Sequence, residues 1–425
     1  MGEAPAERRT MRRNIHELPP SAWFLIGGSV INRFGSFVVP FLVLYLRKQG
    51  FSIERSGLAV AAYGGGELIA GPLGGMLADR LGRRATIASS MFASAAAMIA
   101  LSQAHAYTSI LGLAFAAGLV SEARRPASLA LLTDLVPSGQ RVTAFAVLRT
   151  SENVAFAGGM ALGGFVANTS FLWLFIGDAA SSVVYGLIAL GALPEGLRVS
   201  RAEEVRRGGG LSGVAADPAF LLFLVATVLL AFIYFQPQAT LPLHVRRAGL
   251  SNADFGLLLS LNGILVVLFE LPLSSLTMRR PPRHVLAVGF LLVGLGFSLT
   301  GLAHSLVALA LTVAVWTLGE MVAAPVAYAY VADIAPEHMR GRYQGLFFFS
   351  FSSGAVLGPA IGTFLYARGE NTFWGICGGL GLVAALLTVG GGAVRPVFTR
   401  RPTEAMAQEP VEASERAPRP GPFPL

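Results

Sequence analysis

Shifted along itself by 199 residues, the chain lines up its two halves. Pro126, Asp134, Pro137, Arg141, Gly159 and Gly163 fall on Pro325, Asp333, Pro336, Arg340, Gly358 and Gly362, and Arg47, Gly50, Ser52 and Gly57 fall on Arg246, Gly249, Ser251 and Gly256. One offset at so many turn-forming and charged positions marks a duplication of about 200 residues. Both copies are strongly apolar: the chain is 54% hydrophobic and 13% charged, with mean hydropathy +0.62, where a soluble domain carries roughly 25% charged residues. The copies are therefore expected to be membrane-embedded, with a seam between them. That architecture is common among secondary transporters.

A helix crossing the hydrocarbon core needs about 20 mostly apolar residues. Twelve such spans are predicted, at 22–46, 56–78, 85–104, 107–133, 142–167, 171–193, 219–244, 254–278, 285–303, 306–332, 341–366 and 372–394. With loops on alternating sides, the tails, the even-numbered connections and Arg342 at the edge of the eleventh span hold 22 Lys or Arg, among them Arg8, Arg9, Arg80, Arg83, Arg84, Arg279, Arg280 and Arg283. The other side holds six: Arg47, Lys48, Arg55, Arg246, Arg247 and Arg368. The excess places both termini in the cytoplasm. Six spans per copy make the repeats parallel. The first span is too long for a signal peptide and lacks a small-residue cleavage site.

The expected division is 1–193 as the first six-helix half, 194–217 as a polar, Gly-rich cytoplasmic linker, 218–394 as the second half, and 395–425, with seven prolines, as a disordered tail.

Other classes fall away on composition. Lys48 is the only lysine, so no Gly-Lys-Ser/Thr nucleotide loop exists. The single Cys377 excludes an intramolecular disulfide and a thiolate cluster. The six His lie in tails or near span ends, without metal-ligand spacing or a partnered nucleophile, so no enzyme, metal or cofactor is expected. The net charge of +8 sits in short turns rather than on one face, which argues against nucleic-acid binding. A monomer in a lipid bilayer is expected.

The connection between spans 2 and 3 reads Gly74-Gly75-Met76-Leu77-Ala78-Asp79-Arg80-Leu81-Gly82-Arg83-Arg84. Gly82 allows a positive φ, Asp79 can accept from Arg side chains or a helix N-terminus, and the arginines face anionic headgroups. This stretch resembles the signature loop of the major facilitator superfamily. The second copy, Ser275-Leu276-Thr277-Met278-Arg279-Arg280-Pro281-Pro282-Arg283, keeps the basic residues and loses the Asp and the Gly. The resemblance implies an acid–base latch in the first half alone, built on Gly75, Asp79, Arg80, Gly82 and Arg83, with Asp134 and Arg141 at the same level.

Spans 4 and 5 carry Glu122-Ala123-Arg124-Arg125-Pro126, then Asp134, Pro137, Arg141, Arg149, Asn153, Gly159 and Gly163. They resemble the drug:proton antiporter branch, whose fifth helix has a Gly-Pro-x-x-Gly-Gly element. Here Met160 stands in the proline's place, while the second copy keeps Gly358-Pro359-Ala360-Ile361-Gly362, and Ala114 stands near the branch's usual basic residue. Ala155, Gly159 and Gly163, like Gly354, Gly358 and Gly362, make a flat stripe at four-residue spacing. Such a stripe suits either the seam or static packing of neighbours.

An ionisable residue at mid-membrane is costly and marks function by default. Arg33, Glu67, Glu122, Arg124, Arg125, Arg149, Glu152, Asp178, Glu270 and Glu320 are such positions. Counting back from Asp134 and Arg141 puts Glu122 and Glu152 at one depth, about 18 Å in, with Arg125 and Arg149 one turn shallower. Glu122 and Arg125, and likewise Arg149 and Glu152, share a face at i,i+3. A four-charge cluster is expected, either as a structural clamp or with one titrating glutamate. Glu320 has nothing basic near it in its own span, and should either hold a proton for much of the time or pair with a charge such as Arg33. The resemblance implies a central cavity lined by spans 1, 4, 7 and 10, in which Tyr234, Gln236 and Gln238 would form a substrate wall. The leading expectation is proton-coupled export of lipophilic small molecules. Transport of a polar metabolite is the alternative, with a non-transporting receptor further behind.

Overall fold

The computed structural model describes Ile15 and residues 17–195, 217–277, 280–336 and 339–391. Most of the expected linker and all of the expected tail lie outside the described residues, as do Arg8, Arg9 and Arg279.

The described residues are helical, with no strand among them. In chain order the helices are α1 (Pro20–Gly35), α2 (Val38–Lys48), α3 (Ile53–Leu81), α4 (Arg83–Ser102), α5 (Tyr107–Leu135), α6 (Arg141–Thr169) and α7 (Leu172–Ala192). The second copy continues with α8 (Pro218–Tyr234), α9 (Leu241–Arg247), α10 (Asn252–Thr277), α11 (Pro282–Thr300), α12 (Leu306–Ile334), α13 (Arg340–Ser352), α14 (Gly354–Arg368) and α15 (Glu370–Gly390). Nine helical segments among the described residues are long and apolar enough to cross a membrane. α3, α5 and α6, with 29 residues each, are equally long but more polar. Together they occupy the twelve predicted spans, and the observed ends lie within four residues of the predicted ones.

Three spans are broken in the middle. Span 1 stops at Gly35 and restarts at Val38, whose N–H is 3.4 Å from Asp178 of α7. A carboxylate at a helix N-terminus satisfies an orphan donor and complements the dipole, which gives buried Asp178 a structural role. Span 7 breaks at Gln236–Gln238, between α8 and α9, and span 11 at Ser353, between α13 and α14.

The duplication is visible atom by atom. After α2 the Gly50 N–H donates to Arg47 O and Phe51 N–H to Leu46 O; after α9 Gly249 and Leu250 repeat this with Arg246 O and Val245 O. Both ends are Schellman motifs, closed by Gly50 at φ 91° and Gly249 at φ 80°. Arg47 Nη1 then donates to Phe51 O at 2.5 Å, and Arg246 Nη1 to Leu250 O at 2.7 Å.

The halves meet where α3 packs on α14 and α6 on α10. A Cβ built on Gly57 would lie 2.7 Å from Pro359 O and against the Thr363 side chain, and one on Gly256 would lie against Met160 O and 2.9 Å from Gly164 Cα. The expected glycine stripes are elsewhere. Gly159 abuts the Phe34 backbone and Gly163 the Phe37 ring, while Gly354, Gly358 and Gly362 face Ala231, Phe235 and Gln236. They pack α6 on α1–α2 and α14 on α8, inside each half. The seam uses the neighbouring face instead.

Candidate functional site

At the junction of α3 and α4 the chain turns on Gly82 at φ 93°, a conformation strained for any residue with a Cβ. The turn aims Arg83 at Asp134, near the C-terminal end of α5, and the two form an ion pair. Arg84 donates to Leu190 O near the end of α7, and Arg141 Nε to Val136 O at 3.3 Å. Asp79 and Arg80 are exposed one turn back, and Gly75 is half-buried. The ion pair between the turn and the bundle is thus made through Asp134 rather than Asp79.

The four-charge cluster does not close on itself. Arg125 and Glu122 do pair, at 3.8 Å, with the Arg125 side chain 72% exposed. Arg149 instead pairs with Glu270 of α10. Glu152 accepts from Ser29 Oγ of α1 at 2.5 Å. Side chains from facing helices displace the i,i+3 partner, because α6 is wedged between α1 and α10. Arg33 does not approach Glu320; its guanidinium lies 4.8 Å from the Phe156 ring centroid.

Between α1, α5 and α6 lies a cavity of about 240 Å³. Its polar wall includes Ser29, Arg124, Arg125, Arg149 and Glu152. Arg124 is only 8% exposed, lies 5.8 Å from the Tyr185 ring centroid, and its Nε has no acceptor.

Glu320 of α12 is half-buried and far from isolated. Tyr234 Oη donates to Oε1 at 2.9 Å, and Asn262 Nδ2, from α10, donates to Oε2 at 3.0 Å. Asn262 Nδ2 also reaches Thr317 Oγ1 at 3.0 Å. Among the described residues no basic nitrogen lies within 4 Å of the carboxyl. Both hydrogen-bond partners are neutral, so the proton can come or go without stranding a cation. α10 links the two sites: Asn262 holds Glu320, and Glu270, eight residues or about 12 Å along the helix, holds Arg149.

The expected substrate wall is only partly available. Tyr234 belongs to the Glu320 site. Gln236 is fully buried and committed to the break in span 7: its Nε2 donates to Phe232 O at 2.7 Å and Gly358 O at 3.2 Å, and its Oε1 accepts from Thr240 at 2.9 Å. A helix break exposes backbone groups that need partners, and this glutamine supplies them. Gln238 is half-buried in the same turn.

Sequence reasoning did not single out Ser29 or Asn262, each a small polar residue inside an apolar run. That weak signal gains meaning only when the facing carboxylate is known.

Charged side chains around a cavity in a duplicated, membrane-crossing bundle fit a multi-pass transport protein. The family model of the Major Facilitator Superfamily matches residues 25–252 and 238–423. The chain belongs to that superfamily. It is 26% identical to an uncharacterized MFS-type transporter, YqjV, of Bacillus subtilis (82% of this chain, 86% of the relative). It is 24% identical to a Na(+), Li(+), K(+)/H(+) antiporter of Planococcus maritimus (79% and 87%) and 26% identical to the multidrug resistance protein MdtH of Aeromonas salmonicida (86% and 94%). The fold matches the nucleoside transporter NupG at TM-score 0.74 and 16% identity (87% and 98%). It matches a POT family transporter in complex with 5-aminolevulinic acid at TM-score 0.73 and 16% identity (88% and 96%).

Proposed function

We propose that this transporter exports lipophilic or drug-like small molecules by alternating access, in exchange for protons, across the inner membrane, with both termini cytoplasmic. The observation that carries the reading is Glu320: a carboxyl inside the bundle, tied to spans 7 and 8 by two neutral donors. Protonation removes the charge that Tyr234 and Asn262 address, so the contacts joining these spans change strength with the proton. A proton site that also fastens helices together couples ionisation to conformation. The likeness in sequence to an MdtH multidrug resistance protein and to a cation/proton antiporter supports export by exchange.

The test is substrate flux in proteoliposomes loaded with purified protein, screened with a panel of lipophilic compounds. Collapsing the proton gradient with an uncoupler should abolish uphill movement of any substrate found. Undiminished concentrative transport with every ion gradient collapsed would overturn the proposal.

A further inference from the structure

Arg124 takes no part in the proton site and makes no ion pair with any described residue. Its neighbours are used elsewhere: Glu122 pairs with Arg125, Glu270 with Arg149, and Glu152 holds Ser29. No carboxylate among the described residues lies within 4 Å of the Arg124 guanidinium, and its Nε has no acceptor. The side chain is more than nine-tenths covered and lines the cavity between α1, α5 and α6. A buried cation whose Nε lacks an acceptor is expensive to hold, and an anion arriving from outside would offset that cost. Around that point the cavity is apolar, through Leu25, Leu129, Phe145 and Leu148. At about 240 Å³ it is slightly smaller than typical ligand pockets of about 300–1,000 Å³, and suits one or two fused rings.

Resting on the transporter reading above, we propose that the transported substrates are amphipathic organic anions. The carboxylate, sulfonate or phosphonate is held by Arg124, and the ring system packs against the four apolar side chains. Guanidinium suits this role because its planar fork matches two oxygens of such a group. Of the three guanidiniums that face the cavity, Arg125 and Arg149 are paired with Glu122 and Glu270, which leaves Arg124 to receive an anion. Glu152, facing the same space, disfavours an anion bound away from Arg124.

The experiment is isothermal titration calorimetry on the full-length protein in detergent, with no gradient. The probes are 2-naphthoate, naphthalene-2-sulfonate, naphthalene-2-phosphonate, the neutral 2-naphthamide and the cationic 2-naphthylmethylamine. At least one anion should bind about tenfold or more tightly than amide or amine, as expected for a hydrogen bond to a charged group. Arg124→Gln should erase that preference, and Arg124→Lys should keep it with weaker affinity. Binding of amide or amine as tight as that of every anion, no binding by any anion, or an unchanged preference in Arg124→Gln would overturn the proposal. If Arg124→Gln does not fold, the comparison of anions with the amide on the native chain still decides. Binding is read without a gradient, so a failure of proton coupling leaves this result unaffected, and a failure of anion preference leaves the coupling test intact.

Discussion

Replacing Glu320 with Gln separates the proton from the fold. The amide oxygen can still accept from Tyr234, now 2.9 Å from Oε1. The amide nitrogen would face the Asn262 Nδ2 donor, now 3.0 Å from Oε2, until Asn262 flips. That flip is tolerated, because Thr317 Oγ1, its other neighbour, can donate as well as accept. Two bonds to a charged acceptor, about 1.5–3 kcal/mol each, become two neutral ones of about 0.5–1.5, and the cost of holding an ion in a low-dielectric site disappears. The opposing changes leave a net effect within about 2 kcal/mol. That is a Tm shift of a few degrees, at about 2–4 °C per kcal/mol for a unit of 150–250 residues. Coupling should change far more. One proton moving down a gradient of one pH unit supplies about 1.4 kcal/mol, enough for a tenfold substrate ratio. Proteoliposomes acidified inside should reach up to that ratio with the native chain, while Glu320→Gln should equilibrate near unity yet still exchange labelled for unlabelled substrate. Tyr234→Phe, which removes a donor and keeps the carboxyl, should retain coupling. A tenfold ratio in well-folded Glu320→Gln would refute the assignment.

Asp134→Asn breaks the ion pair with Arg83 and should slow turnover more than Asp79→Asn, with equilibrium ligand affinity unchanged in both; single-turnover flux beside binding measures this, and the opposite ranking would return the latch to Asp79. Arg125→Gln removes one partner of a long, 3.8 Å pair with the half-buried Glu122 and should cost about 1–2 kcal/mol in detergent thermal melts. Arg149→Gln should cost more than that, because Glu270, 13% exposed, loses its ion-pair partner; equal melts for the two variants would contradict the pairing. Gly256→Leu drives a side chain into the Met160 carbonyl and the Gly164 backbone, neither of which can swing aside. It should lower expression and Tm well beyond Gly112→Leu, which meets nothing within 4 Å.

The repeat, the positions of the helical spans and the turn at Gly82 were legible because each depends on local chemistry: apolar length, a left-handed glycine, a fixed offset. The helix pairings were not. Arg149 and Glu152 satisfy the i,i+3 rule, yet each takes its partner from another helix, since spacing along one helix says nothing about what the facing helix offers. The same holds for Glu320, whose two donors come from spans 7 and 8. Gln236 looked like a cavity residue because it is polar in an apolar run. The break in its own helix uses it instead, and no local pattern announces which polar residue a break will recruit.

The two contacts across the seam are one contact written twice. Gly57 faces Pro359 and Thr363; 199 residues on, Gly256 faces Met160 and Gly164, the first-half counterparts of those two. A six-helix ancestor pairing with itself about a two-fold axis would make this contact in duplicate, with both patches bound to change together. In one chain the two patches are free to differ. A glycine stands at both places, while its partners are Met–Gly on one side and Pro–Thr on the other. The seam is thus two-fold in its backbone and asymmetric in its side chains, and the ion pair of Arg83 with Asp134 and the carboxyl of Glu320 lie in opposite halves.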